Sequence, residues 1–285
     1  MVKKILGYSY IYLILFLMYV PILVLIVFSF TNATYIGERN GFSFDLYAKL
    51  FQSEEIMVAV GNTLIIALIS AVCATFLGTL GAVGAFYSKK RSRIVLENIN
   101  QIPVVNAEIV MALSLVVMFV FIGNKIFGGA NLFSFWTLLI GHIILAAPFV
   151  YLNVKPKLQQ MDPSLYEAAL DLGCSPRQAL TKSVLPEILP GVFSGFMLSI
   201  TLSLDDFIVT AFTRGSGLLS GAGNIETIST LVQAKIKKGP IPPEMRPLTT
   251  IIFLIVLLVV ILISLRKNKN VSAKVLRRKK MRERA

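Results

Sequence analysis

The stretch from Met57 to Tyr87, MVAVGNTLIIALISAVCATFLGTLGAVGAFY, contains 31 residues and no charged side chain. About 20 predominantly apolar residues in an α-helix are enough to cross the hydrocarbon core of a membrane. A soluble helix would carry charges on the face that it turns to water. This stretch therefore predicts a membrane-spanning helix, and with it an integral membrane protein.

Five further stretches are also long and apolar enough to cross a membrane. Together with the first they predict spans at about residues 8–30, 57–87, 102–123, 135–154, 188–212 and 247–265. Only 15% of the 285 residues are charged, against about a quarter in an ordinary soluble domain, which supports this interpretation. We expect an all-α, polytopic membrane protein with six transmembrane helices over residues 1–265, followed by a basic tail over 266–285.

The distribution of Lys and Arg predicts the orientation of the chain, because cytoplasmic loops are enriched in these residues. With the N-terminus inside, the inner segments carry 20 of the 28 Lys and Arg residues and the outer loops carry 8. Both termini are therefore expected on the cytoplasmic side. The net charge of +13 is concentrated in the tail, where we expect contact with anionic lipid rather than with nucleic acid.

The most specific pattern lies in the inner loop between the fourth and fifth spans, residues 156–190. A short helix is expected after Pro163, and Gly173 can take the left-handed conformation that ends it. Ser175 and Pro176 then predict the capped start of a second helix that runs to Val184. From these residues alone, a docking hairpin for another protein and an ordinary amphipathic loop are equally supported.

This loop resembles the EAA loop of ATP-binding-cassette (ABC) importer permeases, whose pattern is Glu-Ala-Ala, three residues, Gly, nine residues and Ile-x-Leu-Pro. The residues that match it are Glu167, Ala168, Ala169, Gly173, Leu185 and Pro186. Ser183 stands where Ile is usual, and the apolar Val184 lies beside it. Other stretches are similar to the spermidine/putrescine permeases of this class, namely residues 18–21, 61–63, 108–112, 147–149 and 203–207.

The resemblance implies the fold of an ABC type I importer permease in a bacterial inner membrane. It implies that the matched loop residues couple this chain to a cytoplasmic ATPase dimer. It also implies two further partners, a second permease subunit and an extracellular or periplasmic polyamine-binding protein. The chain carries no Gly-x-x-x-x-Gly-Lys-Ser/Thr phosphate loop, so ATP and Mg are expected on the ATPase and no cofactor on this chain. We expect a transport subunit, not an enzyme.

Two adjacent acids lie deep in the fifth span. Asp205 and Asp206 are about 17 residues, roughly 25 Å, from its inner start. A carboxylate inside a membrane costs several kcal/mol unless it is hydrated or paired. The pair indicates either a water-exposed helix end or an acidic lining that replaces the water around an ammonium group. Two carboxylates in the outer half, with no Lys or Arg in the spans, disfavour an anionic substrate.

Other candidate path residues lie in the first and third spans. Glu108, about 9 Å into the third span, either reaches the head groups or adds an acid at a second depth of the same path. Tyr19, just before the helix-bending Pro21, is the best aromatic candidate for contact with a cation. The single histidine, His142, is expected to form a hydrogen bond between helices.

Three alternatives compete with a polyamine permease. An intramembrane aspartyl protease needs two carboxylates that face each other and share a proton, which neighbours on one helix do not do easily. A proton-coupled secondary transporter predicts discontinuous helices in both halves of the chain. Another small organic cation, or a different solute of the same importer class, stays open as the substrate.

Overall fold

The computed structural model of the protein describes residues 2–32, 41–215, 225–239 and 242–258. Apart from one isolated antiparallel bridge between Thr31 and Phe42, these residues contain helices and their connections. The helices are α1 (Val2–Ser29), α2 (Asp45–Gln52), α3 (Glu54–Tyr87), α4 (Lys90–Val105), α5 (Glu108–Lys125), α6 (Phe135–Gln160), α7 (Ser164–Asp171), α8 (Pro176–Ala179), α9 (Leu185–Asp205), α10 (Ile208–Thr213), α11 (Ile228–Lys238) and α12 (Met245–Leu258). The expected all-α class is confirmed.

Helices long and apolar enough to cross a membrane account for most of the described chain. They are Tyr8–Ser29, Glu54–Tyr87, Glu108–Lys125, Phe135–Gln160 and Pro176–Asp205. α12 is apolar but shorter within the described residues. The sixth expected span, 247–265, extends beyond them, and the expected basic tail lies outside them altogether.

The third span does not begin where its apolar composition placed it. Residue 102 was the expected start, but it belongs to α4, which ends at Val105. Asn106 and Ala107 are extended, with ψ of 148° and 138°, and α5 begins at Glu108. Hydropathy averages over many residues, so it detects the apolar run and not a break of two residues within it.

The fifth span is broken as well. One helix was expected over residues 188–212, but α9 ends at Asp205 and α10 starts at Ile208. Asp206 is extended, with ψ of 124°. The two adjacent aspartates therefore do not lie on one helix, and their side chains have different surroundings.

Within the compact unit Glu55–Ala234, α6 is the central helix. α4, α9 and α10 pack along it, and close approach depends on small residues. A Cβ atom on Gly78 of α3 would lie 2.6 Å from the carbonyl oxygen of Ala147 and 2.7 Å from Cβ of Val150. A Cβ atom on Gly195 of α9 would lie 3.0 Å from Cα of Val150. The three helices thus meet backbone to backbone.

The second unit comprises the described residues of Met1–Glu54 and Lys235–Ala285. Here the Ser29 hydroxyl lies 3.0 Å from the hydroxyl of Tyr47, which joins the end of α1 to α2. Asn32 Nδ2 donates to Asp45 Oδ2 at 2.6 Å, and this bond is the main reason that the pKa of Asp45 is lowered. The segment after α1 is therefore tied to the first turn of α2.

Close packing of α3 on α6 can be tested with two alanines on one helix. Gly78→Ala should lower the thermal unfolding midpoint of the detergent-purified protein, because its Cβ overlaps α6 and overpacking costs about 1–3 kcal/mol. Gly84→Ala is the matched control, since nothing lies within 4 Å of its Cβ position. Equal midpoints for the two variants would contradict the packing described above.

Candidate functional site

The breaks in the third and fifth spans lie close together inside the Glu55–Ala234 unit. α5 packs against α10, and both contact α6. The buried apolar side chains at this junction are Ala112, Leu115, Phe119, Leu145 and Val209. The start of α5 and the start of α10 are thereby held beside each other, and the Glu108 carboxylate interacts electrostatically with Asp206 and Asp205.

α4 packs along α6 before α5 begins. Glu97 of α4 pairs with Lys155, near the end of α6, at 3.1 Å. One turn further, Asn100 Nδ2 donates to the carbonyl oxygen of Pro148, in the middle of α6, at 3.5 Å. α4 therefore runs along α6, and α5 begins at Glu108, three residues after α4 ends. The role of Glu108 as a second acid along the path stays a prediction.

Asp206 is buried, and its carboxylate caps α10. Oδ1 accepts a hydrogen bond from the Val209 amide at 3.2 Å, and Oδ2 accepts one from the Thr210 amide at 2.8 Å. The Thr210 hydroxyl also donates to Oδ2, at 2.9 Å. Both oxygens are thus used to satisfy donors at a helix start that has no preceding turn to bond with. The negative charge also lies at the positive end of α10.

His142 of α6 connects the two helices that flank this break. Its side chain is 1% exposed, with Nδ1 2.8 Å from the Ser203 hydroxyl and Nε2 2.9 Å from the Thr210 hydroxyl. Nε2 also lies 3.6 Å from Asp206 Oδ2. The expected role of His142 as a hydrogen-bonding residue between helices is confirmed. Gly141 beside it allows the close approach, since a Cβ there would lie 2.7 Å from Cγ1 of Val209.

Asp205 and Glu108 differ from Asp206 in being exposed. Glu108 is the first residue of α5, where a helix start stabilises negative charge. Asp205 is the last residue of α9, where the helix end itself carries partial negative charge. Asp205 is therefore the carboxylate with the least favourable surroundings of the three, and a cation beside it would remove that conflict.

Tyr19, the fourth candidate path residue, lies in α1, in the other unit of the chain. Its side chain is half exposed, and it precedes Pro21 within the same helix. The contact with a cation that we expect of Tyr19 stays a prediction.

The inner loop forms the expected helix–Gly–helix hairpin. Gly173 has φ of +84° after α7, and its amide donates to the Leu170 carbonyl at 2.9 Å. Ser175 and Gln178 form a reciprocal cap at the start of α8. At the other end of α7, Asp162 accepts hydrogen bonds from the amide and hydroxyl of Ser164, which lower the pKa of Asp162.

The second helix of this hairpin does not stop at Val184 as expected. α8 continues through one π-helical turn, Leu180–Val184, directly into α9. The inner loop is thus helically continuous, through this π-helical turn, with the helix that ends at Asp205.

The residues of the loop pattern divide by exposure. Glu167, Ala168, Gly173, Leu185 and Pro186 are exposed, whereas Ala169 is buried against the rest of the hairpin. Leu172, beside them, is 86% exposed. A groove of about 470 Å³ opens here, lined by Leu165, Ala168, Ala169, Leu172, Cys174, Lys182, Ser183, Pro186 and Glu187.

Several polar residues of the interior site were not singled out by sequence. Ser203 and Thr210 hold His142, and the Ser229 hydroxyl donates to the Asp206 carbonyl at 2.6 Å. The sequence feature that could have pointed to them was a hydroxyl side chain in an otherwise apolar stretch. That signal is weak, because serine and threonine in membrane helices often bond only to their own backbone.

Several known proteins are similar to this chain in sequence. Residues 74–277 match the family described as binding-protein-dependent transport system inner membrane component. The spermidine/putrescine transport system permease protein PotC of Escherichia coli K12 is 33% identical over 244 residues, covering 86% of this chain and 87% of that protein. The putrescine transport system permease protein PotI of the same strain is 30% identical over 240 residues, covering 82% and 81%.

Solved structures show the same fold. A bacterial alginate ABC transporter, in complex with an alginate pentasaccharide-bound periplasmic protein, contains a chain with a TM-score of 0.70. The alignment covers 91% of this chain and 92% of that one, at 20% identity. At this identity the likeness concerns the fold alone.

The apolar helices and the inner hairpin define a multi-pass transport subunit of the inner membrane. The chain belongs to the family of inner-membrane components of binding-protein-dependent transport systems, the permeases of ABC importers. The resemblance drawn from the EAA loop is thereby confirmed.

The different surroundings of the two aspartates predict different effects of the same substitution. Asp206→Asn should lower the thermal unfolding midpoint in detergent. The side-chain NH2 of the new asparagine would replace one carboxylate oxygen and face the backbone N–H of Val209 or Thr210, at a cost of about 1–3 kcal/mol. Asp205→Asn removes an exposed charge and should leave the midpoint unchanged or raise it. Equal losses in both variants would contradict the assignment of Asp206 as an internal cap.

Proposed function

We propose that this permease forms half of the translocation path for a polyamine, spermidine or putrescine, through an ABC importer. The observation that carries the proposal is the exposed Asp205 carboxylate at the end of α9, with Glu108 in electrostatic range. The names of the related permeases support the substrate class. The charge of the helices is also compatible with a cationic substrate, since residues 108–124, 135–154 and 185–213 contain no Lys or Arg.

A polyamine that enters the membrane loses the water that hydrates its ammonium groups, and the path has to replace that interaction. Each ammonium group gives up hydrating water, and a fixed carboxylate can replace part of that interaction. The C-terminal end of α9 adds partial negative charge beside Asp205. Tyr19 would contribute an aromatic face to the cation. The methylene segments between the ammonium groups tolerate the apolar side chains that make up the rest of the path.

Three partners complete the proposed importer. A second permease subunit supplies the other half of the path in a heterodimer, and a periplasmic or extracellular binding protein delivers the polyamine. A cytoplasmic ATPase dimer binds ATP and Mg and contacts the exposed hairpin. Both termini of this chain lie on the cytoplasmic side as well. The coupling contacts are assigned to Glu167, Ala168, Ala169, Gly173, Leu185 and Pro186. No cofactor is assigned to this chain.

The proposal is tested by uptake of labelled spermidine and putrescine into liposomes. The complete importer should accumulate polyamine only with ATP and the binding protein, and the single chain should not. Asp205→Asn should lower uptake by about tenfold, equivalent to about 1.4 kcal/mol in the rate-limiting step. The affinity of the binding protein should not change.

The control is Lys125→Gln, which neutralises one charge at the far end of α5. Uptake by this variant should stay within about twofold of wild type. Polyamine transport by the single chain, or full uptake by Asp205→Asn, would overturn the proposal.

The coupling role of the inner hairpin predicts loss of transport without loss of insertion. Glu167→Lys reverses a charge on the exposed face, and Gly173→Pro forbids the observed φ and removes an amide donor. Both should abolish coupling between ATP hydrolysis and uptake. Gly128→Pro imposes a similar conflict, at φ of +64°, in the loop after α5, and should keep coupling. Wild-type uptake in Glu167→Lys or Gly173→Pro would count against the docking role.

A further inference from the structure

A chain of hydrogen bonds crosses the interior at the break between α9 and α10. The Ser70 hydroxyl of α3 lies 3.1 Å from that of Ser203, and Ser203 lies 2.8 Å from Nδ1 of His142. Nε2 of His142 lies 2.9 Å from the Thr210 hydroxyl, which lies 2.9 Å from Asp206 Oδ2. All five side chains are buried. Four helices are thus joined through one imidazole ring.

With His142 taken as a neutral imidazole, the hydrogen bonds of this chain have one set of directions. A hydroxyl group and a neutral imidazole each donate one proton. Thr210 donates to the acceptor-only carboxylate of Asp206, so it accepts from Nε2–H of His142. Nδ1 is then an acceptor, and it takes the proton of Ser203, which in turn accepts from Ser70. These directions follow from the bonding pattern once the ring is taken as neutral.

The position of the ring determines the geometry of the break. Ser203 is in the last turn of α9 and Thr210 in the first turn of α10, so His142 contacts the chain on both sides of Asp205 and Asp206. The two ring nitrogens are a fixed distance apart. The two hydrogen bonds of the ring, together with the cap made by Asp206, hold the backbone between α9 and α10 in place. They thereby set the orientation of the Asp205 side chain.

We propose that His142 is a positioning residue of the substrate path. It clamps the end of α9 to the start of α10, so that Asp206 turns inward as a cap while Asp205 faces the path. Being 1% exposed, His142 acts through Asp205 and does not touch the substrate. The proposal rests on the proposed function only for the identity of the substrate, since the orientation of Asp205 is measurable without transport.

The test measures that orientation in the assembled importer. Asp205→Cys is introduced into a chain in which Cys73 and Cys174 are replaced by serine, and the rate at which a cationic methanethiosulfonate reagent labels the introduced thiol is recorded. His142→Phe keeps a ring and removes both hydrogen bonds. Ser203→Ala removes one of them. Thr213→Val is the matched control, because it removes a buried hydroxyl of α10, bonded to the Val209 carbonyl oxygen at 2.7 Å, away from the break.

His142→Phe should change the labelling rate of the introduced thiol by about tenfold, and in the chain with native Asp205 it should lower the maximal uptake rate by a similar factor. Ser203→Ala should change both in the same direction, and Thr213→Val should leave both within about twofold. His142→Gln, whose amide can still donate toward Thr210, should restore part of the uptake.

An unchanged labelling rate in an assembled His142→Phe importer overturns the proposal. If that variant fails to assemble, Ser203→Ala decides in the same way. The two proposals can fail separately. If the wild-type importer takes up no polyamine but His142→Phe still changes the labelling rate at position 205, the proposed substrate is refuted and the positioning role stands.

Discussion

The structure depends on one constraint, that the hydrocarbon core of a membrane offers no partner to a free backbone N–H or C=O group. A spanning helix can be broken only where other groups satisfy the exposed amides. At the start of α10 the carboxylate of Asp206 does so, with both of its oxygens occupied. The exposure of Asp205, at the end of α9, follows from the break that this cap makes possible. The cap is therefore the interaction on which the site is built.

The scaffold and the site share one helix. α6 is approached closely by α3 and α9 at glycines, and by α10 at Gly141. The next residue, His142, joins the helices on either side of the break. α9 follows the inner hairpin through one π-helical turn and ends at Asp205. In the proposed importer, this helical connection is the route by which movement of the hairpin would reach Asp205.

Sequence predicted the parts of this protein that depend on neighbouring residues along the chain. Apolar runs predicted the spans, and the hairpin pattern around Gly173 predicted the turn that has φ of +84°. The breaks were not predicted, because two extended residues hardly alter the hydropathy of a span. Asp205 and Asp206 looked alike in sequence, and only the fold shows that one is buried and the other exposed. Discontinuous helices, expected of a secondary transporter, occur here in an importer family. A fold neighbour imports the acidic polysaccharide alginate, so the fold does not set the charge of the substrate.

The central claim is that the broken fifth span presents Asp205 to a cation while Asp206 stays inside as a helix cap. A cryo-electron-microscopy structure of the complete importer, held with spermidine in the path, measures this directly. We expect an ammonium nitrogen beside the Asp205 carboxylate, with Asp206 still bonded to the amides of Val209 and Thr210. A continuous helix across residues 188–212, or Asp206 turned toward the polyamine, would contradict the claim.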